Sequence, residues 1–172
     1  TNVKFNDNVN GYNGFEIGLS SDALPKYVNI KDCDFRGTLT NNAILIFGTQ
    51  DNAVINIENC HFGRISNALR ISNKTNATNV TINVKDCSVD EWDTREEWEG
   101  FMICEDYTSG TVALEQSNNL FASSKITVNF TNLTHKGEKI TADYEGQICY
   151  VWYDNGNKKE TDKNRIPTIN FL

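Results

Sequence analysis

Hydrophobic and polar residues alternate in short segments that recur along the chain. Five segments read apolar, polar, apolar, polar and then Asp or Asn, and a sixth, shorter one runs into the C-terminus. Their first residues are Val3, Val28, Ile55, Ile82, Val128 and Ile169. Alternation with a period of two is typical of β-strands that bury one face. We therefore predict a strand at each of these positions.

The spacing of these strands indicates a repeat. Successive segments start 25, 27, 27, 46 and 41 residues apart. Such spacings are typical of proteins in which equivalent residues of successive repeats stack on one another, and the longer steps indicate insertions. The Asp or Asn that closes a segment favours a tight turn, and a Cys follows it in the three central copies. We predict two structural ladders, formed by Asp32, Asn59 and Asp86 and by Cys33, Cys60 and Cys87.

A second series of segments lies between these strands. Each opens on a small residue and closes on Ile three positions later, starting at Gly14, Ala43, Ala68 and Gly100. A fifth copy is predicted around Gly146, 46 residues after Gly100, which equals the step from Ile82 to Val128. Two series that share one insertion length favour a stack of parallel strands, and helical patterns are nearly absent.

Two stretches carry a resemblance to a known family. Ile55–Phe62 reads I-N-I-E-N-C-H-F, and Asn67–Ser72 reads N-A-L-R-I-S. They resemble the right-handed parallel β-helix proteins of the pectate-lyase-like superfamily. The resemblance implies an all-β, right-handed parallel β-helix (solenoid) of about five to six coils, with longer insertions in the C-terminal half. It implies a single β-helix domain over residues 1–172, which could be a fragment of a longer protein.

The resemblance also raises polysaccharide lyases and hydrolases. Lyases of the superfamily typically use an Arg or Lys base with Ca²⁺ held by Asp residues. The corresponding candidates here are Arg36, Arg64 and Arg70 for the base and Asp32, Asp34 and Glu58 for the ion. We favour the alternative that these are outward strand residues and turn formers. The paired Asp residues and the Gly-His of the polygalacturonase-type hydrolases are missing from this sequence.

Composition narrows the partners. The net charge is −7 and the pI about 4.8, which argues against nucleic acid as a partner. No apolar run approaches the roughly 18 residues of a membrane span, so no membrane insertion is expected. Five Cys residues without a C-x-x-C pair, and two distant His residues, argue against a metal site. We expect no cofactor, with Ca²⁺ supported only by the resemblance.

An aromatic and acidic insertion supplies the candidate ligand-binding residues. Sugars stack on aromatic rings while carboxylates bind their hydroxyl groups. The candidates are Trp92, Asp93, Trp98, Glu105, Asp106 and Trp152. A carboxylate pair here could also serve as general acid and base. The alternative is that Trp92 and Trp98 lie on a short amphipathic helix that covers an edge of the stack.

Three functions remain open from the sequence. The first is a non-catalytic extracellular binding or structural module, such as a carbohydrate-contacting surface protein or adhesin. The second is a polysaccharide lyase- or hydrolase-like enzyme or a domain of one, and the third is a phage fibre or virion component. The expected partners are carbohydrate or other copies of the chain, associated end to end or as a trimer. An extracellular or cell-surface location is expected because the chain starts at Thr1, as a mature or excised segment would.

Overall fold

The secondary structure consists of β-strands joined by turns and loops. A computed structural model describes residues 3–5, 10–18, 23–36, 38–72, 77–92, 100–106, 126–146, 148–153 and 167–172. Fifteen strands lie in these ranges, which contain no α-helix. Within the same ranges, no helix is long and apolar enough to cross a membrane. The all-β prediction is confirmed at this level.

Five strands form one parallel sheet, hereafter the five-stranded sheet. In spatial order they are β15 (Thr168–Phe171), β11 (Ile126–Thr131), β8 (Val80–Lys85), β6 (Val54–Glu58) and β3 (Tyr27–Lys31). The residues that start the sequence repeat lie beside one another in this sheet, from Val28 through Ile55, Ile82 and Val128 to Ile169. The steps of 27, 27, 46 and 41 residues therefore measure one passage between neighbouring strands.

The remaining strands form a second, ten-stranded sheet. It contains β1 (Lys4–Phe5), β2 (Asn10–Ile17), β4 (Asp34–Phe35), β5 (Thr38–Ile46), β7 (His61–Ser72), β9 (Ser88–Trp92), β10 (Met102–Asp106), β12 (Thr134–His135), β13 (Glu138–Lys139) and β14 (Cys149–Tyr153). All pairs are parallel except β12 with β13. Because the chain returns repeatedly to the same two parallel sheets, the fold is consistent with a β-solenoid.

The first predicted repeat is wrong in register. Lys4 pairs with Asp34 and Phe5 with Phe35, and the Asp34 amide donates to the Val3 carbonyl at 2.9 Å. Val3 therefore lies at the level of Cys33 in the ten-stranded sheet, 30 residues before it, rather than below Val28. The segment after each turn also reads apolar, polar, apolar, so alternation alone fits Val3 to either strand.

The fourth and fifth copies of the second series are each displaced. Met102 pairs with Leu69 and Cys104 with Ile71, so Phe101, not Gly100, reaches the level of Ala68. Cys149 pairs with Met102, which leaves Gly146 outside β14. A phenylalanine at this level packs into a column of rings, which a search for a small first residue overlooks.

That column of phenylalanine rings runs through the core. Phe35 and Phe62 stack with ring centroids 5.0 Å apart, and Phe62 meets Phe101 edge to face at 5.8 Å. Phe101 contacts Phe130 edge to face at 5.4 Å. At the two ends Phe15 meets Phe35 and Phe171 stacks on Phe130. The inward apolar residues of both sheets surround this column, which makes one continuous hydrophobic core.

The abundant asparagines have two structural places. Asp32, Asn59, Asp86 and Asn132 turn the chain with φ between 50° and 55°, a left-handed conformation that Asn and Asp tolerate. Along the outer face of the five-stranded sheet, asparagine amides form a second row. Each donates Nδ2 to the Oδ1 of its neighbour at 2.8–2.9 Å, in the order Asn170, Asn129, Asn83, Asn56 and Asn29.

Replacing Asn59 with alanine is expected to lower the free energy of unfolding by about 1 kcal/mol, because alanine resists the left-handed conformation. Asn59 has a φ of 50°, and its Nδ2 donates to Asp32 Oδ1 at 2.7 Å. Urea unfolding of Asn59→Ala against Asn59→Gly separates the two contributions, since glycine loses the side-chain bond and keeps the backbone freedom. Equal losses in both variants would mean that the backbone conformation contributes little.

Candidate functional site

The sequence-predicted ligand residues fall on two parts of the ten-stranded sheet. Trp92 ends β9, where it pairs with Ile65. Glu105 and Asp106 end β10, and Glu105 pairs with Trp152 on the neighbouring strand β14. Asp93 and Trp98 lie outside the described residues, as do the side chains of Trp92, Glu105, Asp106 and Trp152. The backbone register thus brings Glu105 and Trp152 together, and their binding role stays a prediction.

A second group of residues lines a surface depression with a volume of about 470 Å³. Its lining is formed by Arg36, His61, Gly63, Arg64, Asp90 and Glu91, and we call it the His61 depression. It lies where β4, β7 and β9 run side by side. Every side chain in this lining is charged or ionisable, apart from the glycine.

An interruption in the alternation of β7 creates the depression. Phe62 and Ile65 are both fully buried, and two residues rather than one separate them. Arg64 is exposed and pairs with Glu91 of β9, so both point out of the core. At Gly63 a Cβ atom would lie 3.1 Å from the carbonyl oxygen of Arg36 and 3.2 Å from its Cα. Glycine therefore lets the end of β4 approach β7 closely.

His61 bridges carboxylates of the two neighbouring strands. Its Nδ1 lies 2.9 Å from Asp34 Oδ1, and its Nε2 lies 2.9 Å from Asp90 Oδ2. Asp34 also accepts from Arg36 Nε at 2.7 Å. The side chain of Asp34 is 15% exposed and that of Asp90 is 64% exposed, so the two arms of the bridge differ in solvent access.

The two carboxylates favour the doubly protonated ring. Burial lowers the pKa of His61, but the hydrogen bonds and negative charges of Asp34 and Asp90 outweigh it and raise the pKa above its ordinary 6.5. A neutral imidazole carries one N–H and could donate to only one carboxylate, whereas imidazolium donates to both. Both ring nitrogens are therefore engaged, and this histidine is poorly suited to act as a general base.

The carboxylates considered for Ca²⁺ do not converge. Asp32 accepts a hydrogen bond from Asn59, Asp34 bonds His61 and Arg36, and Glu58 pairs with Lys31 at 3.2 Å. Among the residues that the structure describes, no three His, Cys, Asp or Glu side chains are grouped so as to hold a metal ion. Arg70 lies on β7 between Leu45 and Ile103, apart from the lining of the depression.

The cysteine ladder lies in the core. Cys33, Cys60 and Cys87 are buried reduced thiols, and each approaches the carbonyl oxygen two residues earlier at 3.3 Å. The hydrogen bond with Cys60 and burial both raise the pKa of Cys87, which keeps that thiol protonated. Leu133 continues the position in a later repeat and is fully buried. The place of these thiols is that of small apolar side chains.

No protein-family model matches the chain, and no curated protein or solved structure matches it significantly. The resemblance to the pectate-lyase-like superfamily therefore rests on the strand pattern and on the two parallel sheets. Fold alone does not assign a function.

The repeat contained a signal for the His61 depression that the search for catalytic motifs missed. Asp34 and His61 occupy the same position in consecutive repeats, directly after the ladder cysteine, and they pair in register. Aligning the repeats would have placed a histidine beside an aspartate. Asp90 lies two residues beyond the next equivalent position, Ser88, so only the side-chain geometry reveals the second arm.

Proposed function

We propose that the chain is a non-catalytic binding module at the cell surface or outside the cell, and that the His61 depression contacts a neutral carbohydrate. The module is a single right-handed parallel β-helix of five to six coils. The observation that carries the proposal is the shallow, open surface lined by Arg36, Arg64, Asp90 and Glu91, which offers hydrogen-bond donors beside acceptors. Sugar hydroxyl groups both donate and accept, and they match such a lining.

The charges around the depression favour a neutral ligand. Arg36, Arg64 and protonated His61 balance Asp34, Asp90 and Glu91. A uronate or other acidic sugar would meet carboxylates as well as guanidinium groups, so it gains little net attraction. A sugar without charge uses both kinds of partner and loses less solvation on binding.

The position of His61 supports binding over catalysis. An enzyme needs a group that changes its protonation during the reaction, and both nitrogens of His61 already serve as donors to carboxylates. Arg36 is likewise held by Asp34. This arrangement provides a fixed pattern of polar groups, which suits recognition.

Replacing Arg64 with alanine is expected to weaken glycan binding about tenfold, the loss of one hydrogen bond from a charged donor. The chain, screened first on a glycan array with and without Ca²⁺, supplies the ligand for titration calorimetry. Lys139→Ala is the matched control, because Lys139 is an exposed cation on β13, outside the depression. The exposed position of Arg64 predicts an unchanged thermal midpoint.

The same glycan separates the proposal from an enzyme. Incubation followed by assays for new reducing ends and for unsaturated products should give no signal above the blank. Turnover would replace the binding module with the enzyme hypothesis. A glycan that binds Arg64→Ala and the wild type equally would remove the His61 depression as its site and direct attention to Glu105 and Trp152.

A further inference from the structure

Cys104 and Cys149 lie close together on neighbouring strands. Their Sγ atoms are 3.9 Å apart, across the pair formed by β10 and β14. Both are reduced in the structure. We propose that these two thiols form a redox-active pair that closes to a disulfide, joining two consecutive strands of the ten-stranded sheet.

The two cysteines differ in their access to solvent. Cys104 is 1% exposed, whereas Cys149 is half-buried. A reagent in solution therefore reaches Cys149 first, and Cys104 is positioned behind it as the resolving thiol. The three ladder cysteines are all 2% exposed and lie in the core, so the same reagent does not reach them in the folded protein.

The oxidant we name is a small-molecule disulfide, such as oxidised glutathione. The Cys149 thiolate attacks one sulfur of the reagent, a mixed disulfide forms, and one thiolate leaves. Cys104 gives up its proton and attacks the Cys149 sulfur, which forms the Cys104–Cys149 bond and releases the second thiolate. The protein loses two protons and two electrons, and the reagent becomes two thiols.

The register defines the movement that closure requires. Cys149 pairs with Met102, and Cys104 pairs with Val151, so the two cysteines are diagonal partners. Diagonal Cα atoms on neighbouring strands are roughly 7–8 Å apart, and disulfides need less than about 7 Å. Among the described strands β14 pairs with β10 alone, so it can shift by about 1 Å without breaking a second ladder.

The experiment treats the folded wild-type chain with oxidised glutathione, blocks the remaining thiols with N-ethylmaleimide and maps the peptides by mass spectrometry. The expected product has lost two of its five thiols, carries no glutathione and contains one linkage, between the Cys104 and Cys149 peptides. Reduced glutathione in excess should restore both thiols, because a bond that requires strand movement is readily reduced.

Two variants test the order of the steps. Cys104→Ser should stop at the mixed disulfide on Cys149, and Cys149→Ser should remain unmodified. The wild-type measurement stands alone if either variant fails to fold. Glutathione retained on wild-type Cys149, a linkage within the cysteine ladder, a disulfide between two chains or no reaction would each overturn the proposal.

Discussion

Replacing Phe62 with alanine is expected to lower the free energy of unfolding by about 3–5 kcal/mol. Phe62 is fully buried, stacks on Phe35 and meets Phe101 edge to face, so it links the rings of three consecutive repeats. The loss combines the transfer of a phenyl group from water with the cavity left in a continuous column. It is a large fraction of the roughly 5–15 kcal/mol that stabilises a typical domain.

Urea unfolding followed by circular dichroism measures the effect, and Phe171→Ala is the matched control. Phe171 stacks on Phe130 at the end of the column and is only partly buried, so its loss should be clearly smaller. Phe62→Leu should fall between alanine and the wild type, because it fills part of the cavity. Equal losses at Phe62 and Phe171 would argue that the rings contribute independently of their place in the column.

The strands of the five-stranded sheet could be predicted because their sequence contains redundant information. Apolar alternation, the closing Asp or Asn and the constant step agree at Val28, Ile55 and Ile82, and the pairs there follow the predicted register. At Val3 only the alternation was available, and alternation cannot distinguish one sheet from the other. At Gly100 the small residue misled, because the packing of Phe101 against Phe62 and Phe130 sets the register.

The candidate site was harder to predict than the fold, and the reason is physical. A binding surface on stacked strands is assembled from residues about one repeat apart, such as Asp34, His61 and Asp90. No local motif records such a group. The search along the chain therefore favoured the segment with adjacent Trp and acidic residues, while the interruption at Gly63 and Arg64 looked like an ordinary strand.

The polarity of the asparagine row also follows from repetition. Each side-chain amide offers a donor and an acceptor, so identical residues can bond along the stack without any other partner. Aspartate could accept but not donate at the same place. The row therefore explains why Asn, rather than Asp, occupies the strand position while both occur at the turns.

Replacing His61 with glutamine is expected to cost about 2 kcal/mol of unfolding free energy at pH 6, mainly through the bond to the largely buried Asp34. The bond to Asp90 counts for less, because that carboxylate is mostly exposed and water screens it. Glutamine keeps one donor but carries no charge. Urea unfolding at low salt measures the difference.

The pH dependence gives this prediction its sign. Asp34 and Asp90 hold the folded pKa of His61 above the 6.5 of the unfolded chain, so the folded state binds more protons as the pH passes through this interval. The stabilisation is complete below pH 6.5 and is lost as the pH rises through the folded pKa. Arg36, Arg64 and Glu91 keep their charges throughout, and they alter the size of the effect without producing its midpoint.

The wild type should therefore lose stability between pH 6 and pH 9 more steeply than His61→Gln, and the two curves should approach each other at the alkaline end. Asp34→Asn should flatten the dependence more than Asp90→Asn, since Asp34 is the less exposed partner. Parallel wild-type and His61→Gln curves would show that the bridge is not charged in the folded protein. In that case one ring nitrogen would be free to accept a proton, and a catalytic use of the His61 depression would regain support.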